Sequence, residues 1–403
     1  MELFWLEHKK LWRKKIVKIC VLLCFVYCVI FGSILLFQWF GFGSSDDYTS
    51  AFGNNFDGYT VIKDSQEYAL SFGGELTDET LQQIVSDYQQ MEADGMEEEL
   101  EKTDWQIVNS WLGTLYPELR DTSNYKTMIS YVDPDKLTGF YERRQQVLDE
   151  FLEVSGQVGA EKEFLHQIER KVEKPFHYEW VEGWSTLLGS TVADLGVVMA
   201  LFLGIVLSSL FAGEWHDNTS TLVLTTRNGW GKIALAKILT GLAFTVELFA
   251  LLAVSSVISQ LFFMGTAGWD MPIQNIKLIA VAPMNMLQAE IYEYAFVLLG
   301  AIGFAGIVMF ISAAVKNNVL TLLLSLAVVY GPMMIAEYLP YGMQKALDLI
   351  PLVGSSTDIF RTNTFRIFGK LIWSPYLLIT IPVLIGILCM PFAIKSWSRR
   401  MKA

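Results

Sequence analysis

The chain has 403 residues, 52% of them hydrophobic and 18% charged. Runs of about 18 or more nearly uncharged residues recur, each long enough to cross a hydrocarbon core of ~30 Å, which argues against a water-soluble enzyme and marks an integral membrane protein. The net charge of −12 is unevenly placed: 30 acidic and 11 basic residues lie between Gly41 and Gly183, and the rest of the chain holds 12 acidic and 19 basic ones. Nucleic-acid binding needs basic patches, and this soluble block has the opposite sign.

The opening "MELFWLEHKKLWRKK" is amphipathic, with Phe4, His8, Leu11 and Trp12 near one side and Lys9, Lys10, Lys14 and Lys15 around the other. Residues 1–18 are therefore read as a cytoplasmic interfacial helix. The first span follows at 19–40. Its apolar stretch exceeds that of a signal peptide and no A-x-A-like cleavage site follows, so it reads as a retained anchor. Cys20, Cys24 and Cys28 share one face of it. Small polarizable packing residues explain that spacing, and a soft-metal relay is the alternative. The soluble block holds no cysteine, so no disulfide framework is expected there.

Residues 41–183 read as an acidic, mainly helical extracellular domain. "LTDETLQQIVSDYQQM" predicts a helix capped by Thr77 or Asp78, with Leu81, Ile84, Val85 and Tyr88 on one face. A second helix is expected in "DKLTGFYERRQQVLDEFLEV" with Phe140, Val147 and Phe151 inward, and a third before Pro175. The acid run "MEADGMEEELEKTD" reads as a solvated surface, with a cation site as the alternative.

Further spans are predicted at 187–212, 233–263, 291–315, 319–338 and 373–394, giving an all-α polytopic fold of six spans. Residues 264–290 form an outer loop, 339–372 outer or re-entrant short helices, and 395–403 a cytoplasmic tail. The N-terminal arm, the 213–232 loop with Lys237, the turn at Lys316 and the tail carry the basic excess, so both termini are expected inside, in a bacterial cell membrane. Lys345, Arg361, Arg366 and Lys370 fall outside on this count and strain the rule.

The 213–232 loop is polar and Thr-rich, too patterned for a plain connection. Glu214, Thr219, Leu222, Leu224, Thr226, Arg227, Gly229, Lys232 and Lys237 follow a spacing that resembles the corresponding loop of ABC-2 type exporter permeases. The six-span layout and the amphipathic start resemble that family too, closest to members with a large outer domain between the first two spans. The resemblance implies a coupling helix docked on a separate ATP-binding subunit, with Glu214, Thr226, Arg227, Asn228, Gly229, Trp230, Gly231 and Lys232 at the contact. An aromatic anchor, a planar cation and small residues suit such a surface, although Arg, Lys and Trp also commonly flank membrane helices.

Gly231-Lys232 and Gly369-Lys370 lack the rest of a phosphate-cradling loop. No cofactor is therefore expected in this chain: ATP and Mg would be bound by the partner subunit, and the chain itself is not expected to be an enzyme. A second permease subunit, identical or paralogous, and the lipid bilayer complete the expected partners.

Asp194 and Glu247 are acids inside predicted spans, within roughly 10 Å of one depth on antiparallel packing. They are candidates for a substrate pathway, for positions near the headgroups, or for hydrogen bonds across the helix pair. Glu290 and Glu293 read as acids at the positive N-terminal end of the fourth span. The resemblance implies outward movement of an amphipathic peptide or lipid-like substrate, in antimicrobial peptide export or resistance. A proton-coupled secondary transporter using Asp194 and Glu247, and a membrane-anchored sensor using the acidic domain, are the rival readings.

Overall fold

The computed structural model describes residues 2–39, 66, 73–95, 105–121, 126–188, 192–216, 231–354 and 362–399. The described chain is mostly helical. The helices are α1 (Glu2–Arg13), α2 (Lys15–Trp39), α3 (Asp78–Ala93), α4 (Trp105–Leu115), α5 (Phe140–Val154), α6 (Ala160–Glu169), α7 (Glu182–Thr186), α8 (Val192–His216), α9 (Lys232–Met264), α10 (Met286–Ala314), α11 (Asn318–Ile335), α12 (Tyr341–Leu347) and α13 (Ser374–Arg399), with short 3₁₀ turns between some of them. Two antiparallel strand pairs interrupt this pattern: β1 (Gly74–Leu76) with β2 (Phe176–Tyr178), and β3 (Thr364–Ile367) with β4 (Lys370–Trp373).

Among the described residues, five helical segments are long and apolar enough to cross a membrane: Leu195–Trp215, Lys232–Phe262, Met286–Ala314, Asn318–Tyr338 and Ser374–Ser398. They are compatible with a multi-pass membrane protein. Their common core takes Leu203 and Leu207 from α8, Phe244 and Leu248 from α9, Phe304 and Val308 from α10, and Trp397 from α13. Helix α2 adds Val17, Cys20 and Cys24 to the same core, where both thiols serve as buried packing groups; the side chain of Cys28 lies outside the described residues.

The most intimate helix pair is α10 with α13. A Cβ on Gly303 would stand 2.3 Å from the Pro382 carbonyl oxygen, and one on Gly306 would stand 2.4 Å from that of Gly386. Small residues let the two backbones approach closely, the usual route to tight packing between apolar helices.

The soluble part folds around Leu81, Ile84, Val85 and Tyr88 of α3, with Trp111 and Leu112 of α4 and Phe140 of α5. Thr77 caps α3, its side chain accepting from the Thr80 N–H. The inward face of α5 differs from the sequence expectation. Phe140, Arg144, Leu148 and Leu152 are buried, whereas Phe151 is 37% exposed. An arginine occupies the core face because Glu169 of α6 is buried opposite it, a pairing that hydrophobic periodicity does not reveal.

Residues 265–285 form a collar between α9 and α10 on which this domain rests. Trp111 Nε1 donates to the Asn275 carbonyl at 2.8 Å, and Asn275 Nδ2 donates to the His177 carbonyl at 2.6 Å. Arg144 donates to the Leu278 and Ala280 carbonyls at 2.7 and 3.2 Å. Gly268, at φ +76°, passes Trp180 so closely that a Cβ would stand 2.3 Å from the Trp180 carbonyl oxygen.

The stretch expected as short re-entrant helices is only partly helical. After α12 it continues as the β3–β4 hairpin, which turns towards the domain: Thr364 Oγ1 meets Gln157 Oε1 at 3.0 Å and Arg366 pairs with Glu161 at 2.7 Å. One of the four basic residues that strained the charge rule is thus matched by a domain carboxylate.

Candidate functional site

Helix α8 ends and α9 begins on the side of the bundle away from the collar, and they are the two stems of the 217–230 segment. They are held by each other and by neighbouring helices.

The α8 stem is tied to α10 and α13. Ser312 of α10 inserts its hydroxyl against the last turns of α8: it accepts from the Phe211 and Ala212 N–H groups, both at 3.1 Å, and donates to the Ser208 carbonyl at 2.7 Å. A side chain inserted into a helical ladder is a recognised cause of bending. One turn on, Phe211 and Trp215 pack edge-on against Trp397 of α13, with centroids 5.4 and 6.0 Å apart. Lys316 stands 4.3 Å over the Trp215 ring.

The α9 stem is tied to α8 and to the N-terminal helix. Lys237 is 2% exposed, and Nζ donates to Glu214 Oε1 at 2.9 Å, Glu7 Oε2 at 2.8 Å and the Leu210 carbonyl at 3.1 Å. An ammonium has three protons, so its donors are fully used. Glu214, itself buried, also accepts from Lys10 Nζ at 2.5 Å. Carboxylates and ammoniums alternate across three helices, which is what makes burial of these charges tolerable.

Helix α1 therefore does more than lie at an interface. Leu11 is buried in the bundle core, Trp12 meets Phe244 edge-on, and Lys14 donates to Ser209 Oγ at 2.9 Å. Glu247 belongs to this contact: it accepts from Trp12 Nε1 at 3.0 Å and lies 3.1 Å from His8 Nε2.

The two proposed pathway acids are not brought together by any described contact. The Lys237–Glu214 contact sets α9 against α8, so residue 247 stands level with about residue 204, some ~15 Å along α8 from Asp194. Asp194 is in α8, and its side chain lies outside the described residues. Of the docking residues, Glu214, Gly231 and Lys232 are described. Thr226, Arg227, Asn228, Gly229 and Trp230 lie outside, as do Thr219, Leu222 and Leu224.

Glu290 and Glu293 are not dipole-capping acids. Helix α10 starts at Met286 and is closed by an Asn285/Gln288 capping box, so its first turn already has its partners. The two acids lie one and two turns further on, 3% and 0% exposed. Nearby, the hydroxyls of Ser256 and Tyr294 meet at 2.7 Å across α9 and α10.

Sequence reasoning missed Glu7, Lys10 and Ser312. For the first two a signal existed: an acid and a base three residues apart on the amphipathic helix, facing a charge-poor bundle with a lysine near a helix start. Ser312 carries no such signal, since serine in an apolar helix usually bonds its own backbone. Comparison with family models, with curated proteins and with solved structures finds no match for this chain.

Proposed function

We propose that the chain is the membrane-spanning permease subunit of an ATP-driven exporter of the ABC-2 type, with α2 as a sixth span and the 41–183 domain outside the cell. The observation that carries this reading is the pair of stems around residues 217–230. One is fixed to α10 and α13 through Ser312 and Trp397, and the other to α1 through Lys237 and Glu7. Because Lys237 and Glu214 also join the stems to each other, a cytosolic motor that pressed on this segment would act on both groups of helices together.

In this reading Arg227 and Trp230 enter a groove on the ATP-binding subunit, and Glu214 and Lys237 transmit the load. Two permease subunits, identical or paralogous, form the pathway, and the partner subunits bind ATP and Mg. The cargo is an amphipathic peptide or a lipid-like molecule.

The test is co-purification of the full chain from its native membrane with a nucleotide-binding subunit. Wild-type chain should retain that subunit, and Arg227→Ala/Trp230→Ala should lose it while still inserting in the membrane. Retention by the double variant, or labelling of the 217–230 segment from outside intact cells by an impermeant reagent, would defeat the proposal.

A further inference from the structure

The turn between α5 and α6 is unlike the domain that carries it. The chain between Gly41 and Gly183 holds 30 acidic and 11 basic residues, yet positions 154–160, "VSGQVGA", carry no charge. Val154 is 89% exposed and Val158 57%, and Phe151 is exposed just before them. A turn that faces water is ordinarily polar, whereas this one puts forward valines and glycines. The acids that bracket it are neutralised: Glu153 pairs with Lys162 at 2.8 Å and Glu161 with Arg366 at 2.7 Å.

The shape of the turn is fixed. Gly156 is left-handed at φ +73°. Its N–H donates to the Glu153 carbonyl at 2.9 Å, and the Gln157 N–H donates to the Leu152 carbonyl at 2.8 Å. This pair of bonds closes a helix on glycine, so the valines are presented by an ordered backbone.

What covers them follows from where the turn is held. Leu148 and Leu152 share a core with Met286 and Ala289 of α10 and with Trp373, so α5 runs from the collar at Arg144 towards the start of α13. Buried Gln157 then accepts from Thr364 Oγ1 at 3.0 Å. Thr364 is the register partner of Trp373, the residue before α13. Paired strands lie ~4.8 Å apart, so Gln157 is held about one strand spacing and one hydrogen bond from the end of that helix. Ser374–Ser398 is long and apolar enough to cross a membrane. The headgroup layer adds about 5–8 Å on each side of the hydrocarbon core, which is the depth at which the turn sits. Tyr376, exposed on the first turn of α13, is the kind of aromatic residue that marks this layer.

We propose that the α5–α6 turn is a lipid-seated foot of the soluble domain, with Val154, Val158 and Phe151 inserted among the headgroups of the leaflet on the domain side. The foot sets the height of the domain over the membrane, and Gln157 ties it to the hairpin that leads into α13. The proposal rests on the part of the preceding reading in which α13 crosses the bilayer. It needs neither a motor nor a particular sidedness.

The test is photocrosslinking of the full chain in nanodiscs of phosphatidylethanolamine and phosphatidylglycerol. A diazirine-bearing residue replaces Val154, Val158, Glu142, Gln146 or Ile387, one at a time. Glu142 and Gln146 are exposed on α5 nearer the collar, and Ile387 is 50% exposed on α13. Lipid adducts read by mass spectrometry should form at 387, and at 154 and 158 about fivefold or more above those at 142 and 146. Adducts at 387 but not at 154 and 158 would overturn the foot and leave the spanning helix standing. Equal yields at all four domain positions, or crosslinks from 154 and 158 to a second copy of the chain in place of lipid, would overturn it too. Absence of adducts at 387 would remove α13 from the bilayer, and the foot with it.

Discussion

Replacing Lys237 by methionine is the most direct probe of the stem contact. The substitution keeps the length and packing of the side chain while deleting three donated hydrogen bonds, to Glu214, Glu7 and the Leu210 carbonyl. Removing one member of a buried ion pair costs about 3–5 kcal/mol, because the other member stays buried and uncompensated. Glu214 keeps Lys10, whose side chain is 51% exposed, so the lower end applies: ~3 kcal/mol, or about 150-fold in the opening equilibrium of α1. Hydrogen exchange of the amides in residues 4–13, in nanodiscs, reads that equilibrium directly. The double variant Lys237→Met/Glu214→Leu also removes the partner of Lys10, so its α1 exchange should be at least as fast as that of the single variant. An exchange change under about fivefold in both variants would show that the network does not hold α1 to the stems.

Three further predictions concern the domain that packs on the collar and the helix bundle. Burial alone would push the Glu169 carboxyl up, but the hydrogen bonds from Lys174 and Arg144 outweigh it and hold the carboxyl below its ordinary value. Its contribution is therefore present above about pH 4.3 and lost as pH falls through the lowered folded value. Arg144→Met should cost the domain about 3–5 kcal/mol and move the onset of its acid unfolding to higher pH, read by limited proteolysis of the full chain across pH 3–7. Gly306→Ala should destabilise the α10–α13 pair by about 1–3 kcal/mol or more, because the clash is with backbone that cannot rotate away. Gly331→Ala on α11, where a Cβ meets nothing within 4 Å, should leave the melting temperature of the solubilised chain unchanged or raised.

The long apolar helices were legible because hydropathy and length determine them locally, with ends displaced by a few residues. The helix over 78–93 was legible for a similar reason: Thr77 and the Leu81/Ile84/Val85/Tyr88 stripe are a local cap and a local period. What a single sequence did not reveal were contacts across long separations. Glu7 meets Lys237 after 230 positions, and Arg144 reaches the collar carbonyls after about 135. On α5, Phe140 and Val147 pack on the core as the apolar pattern implies, but Phe151 is more exposed and Arg144 looks like a surface residue until Glu169 is seen opposite it. Glu290 and Glu293 were misjudged because the start of α10 lies earlier than hydropathy suggests, at the Asn285 cap. Glu247 was singled out as an acid inside a predicted span, and its contacts with His8 and Trp12 of α1 lie too far away in sequence to be read from one chain.

The two stems also differ in how a displacement would travel along them. At the end of α8, Ser312 has taken over hydrogen bonding at Ser208, Phe211 and Ala212, so this turn is held by a neighbouring helix as well as by its own ladder. Pulling on the α8 stem therefore moves α10 with it, and α10 carries α13 through glycine contacts that leave no slack. The far end of α10 begins at the collar, where Asn285 and Met286 lie beside the seats of Trp111 and Arg144. A push at Phe211 thus has a continuous packed route to the soluble domain. The α9 stem has a second route to the same collar, ending at Met264, and is attached to α8 and α10 as well as to α1 and α2.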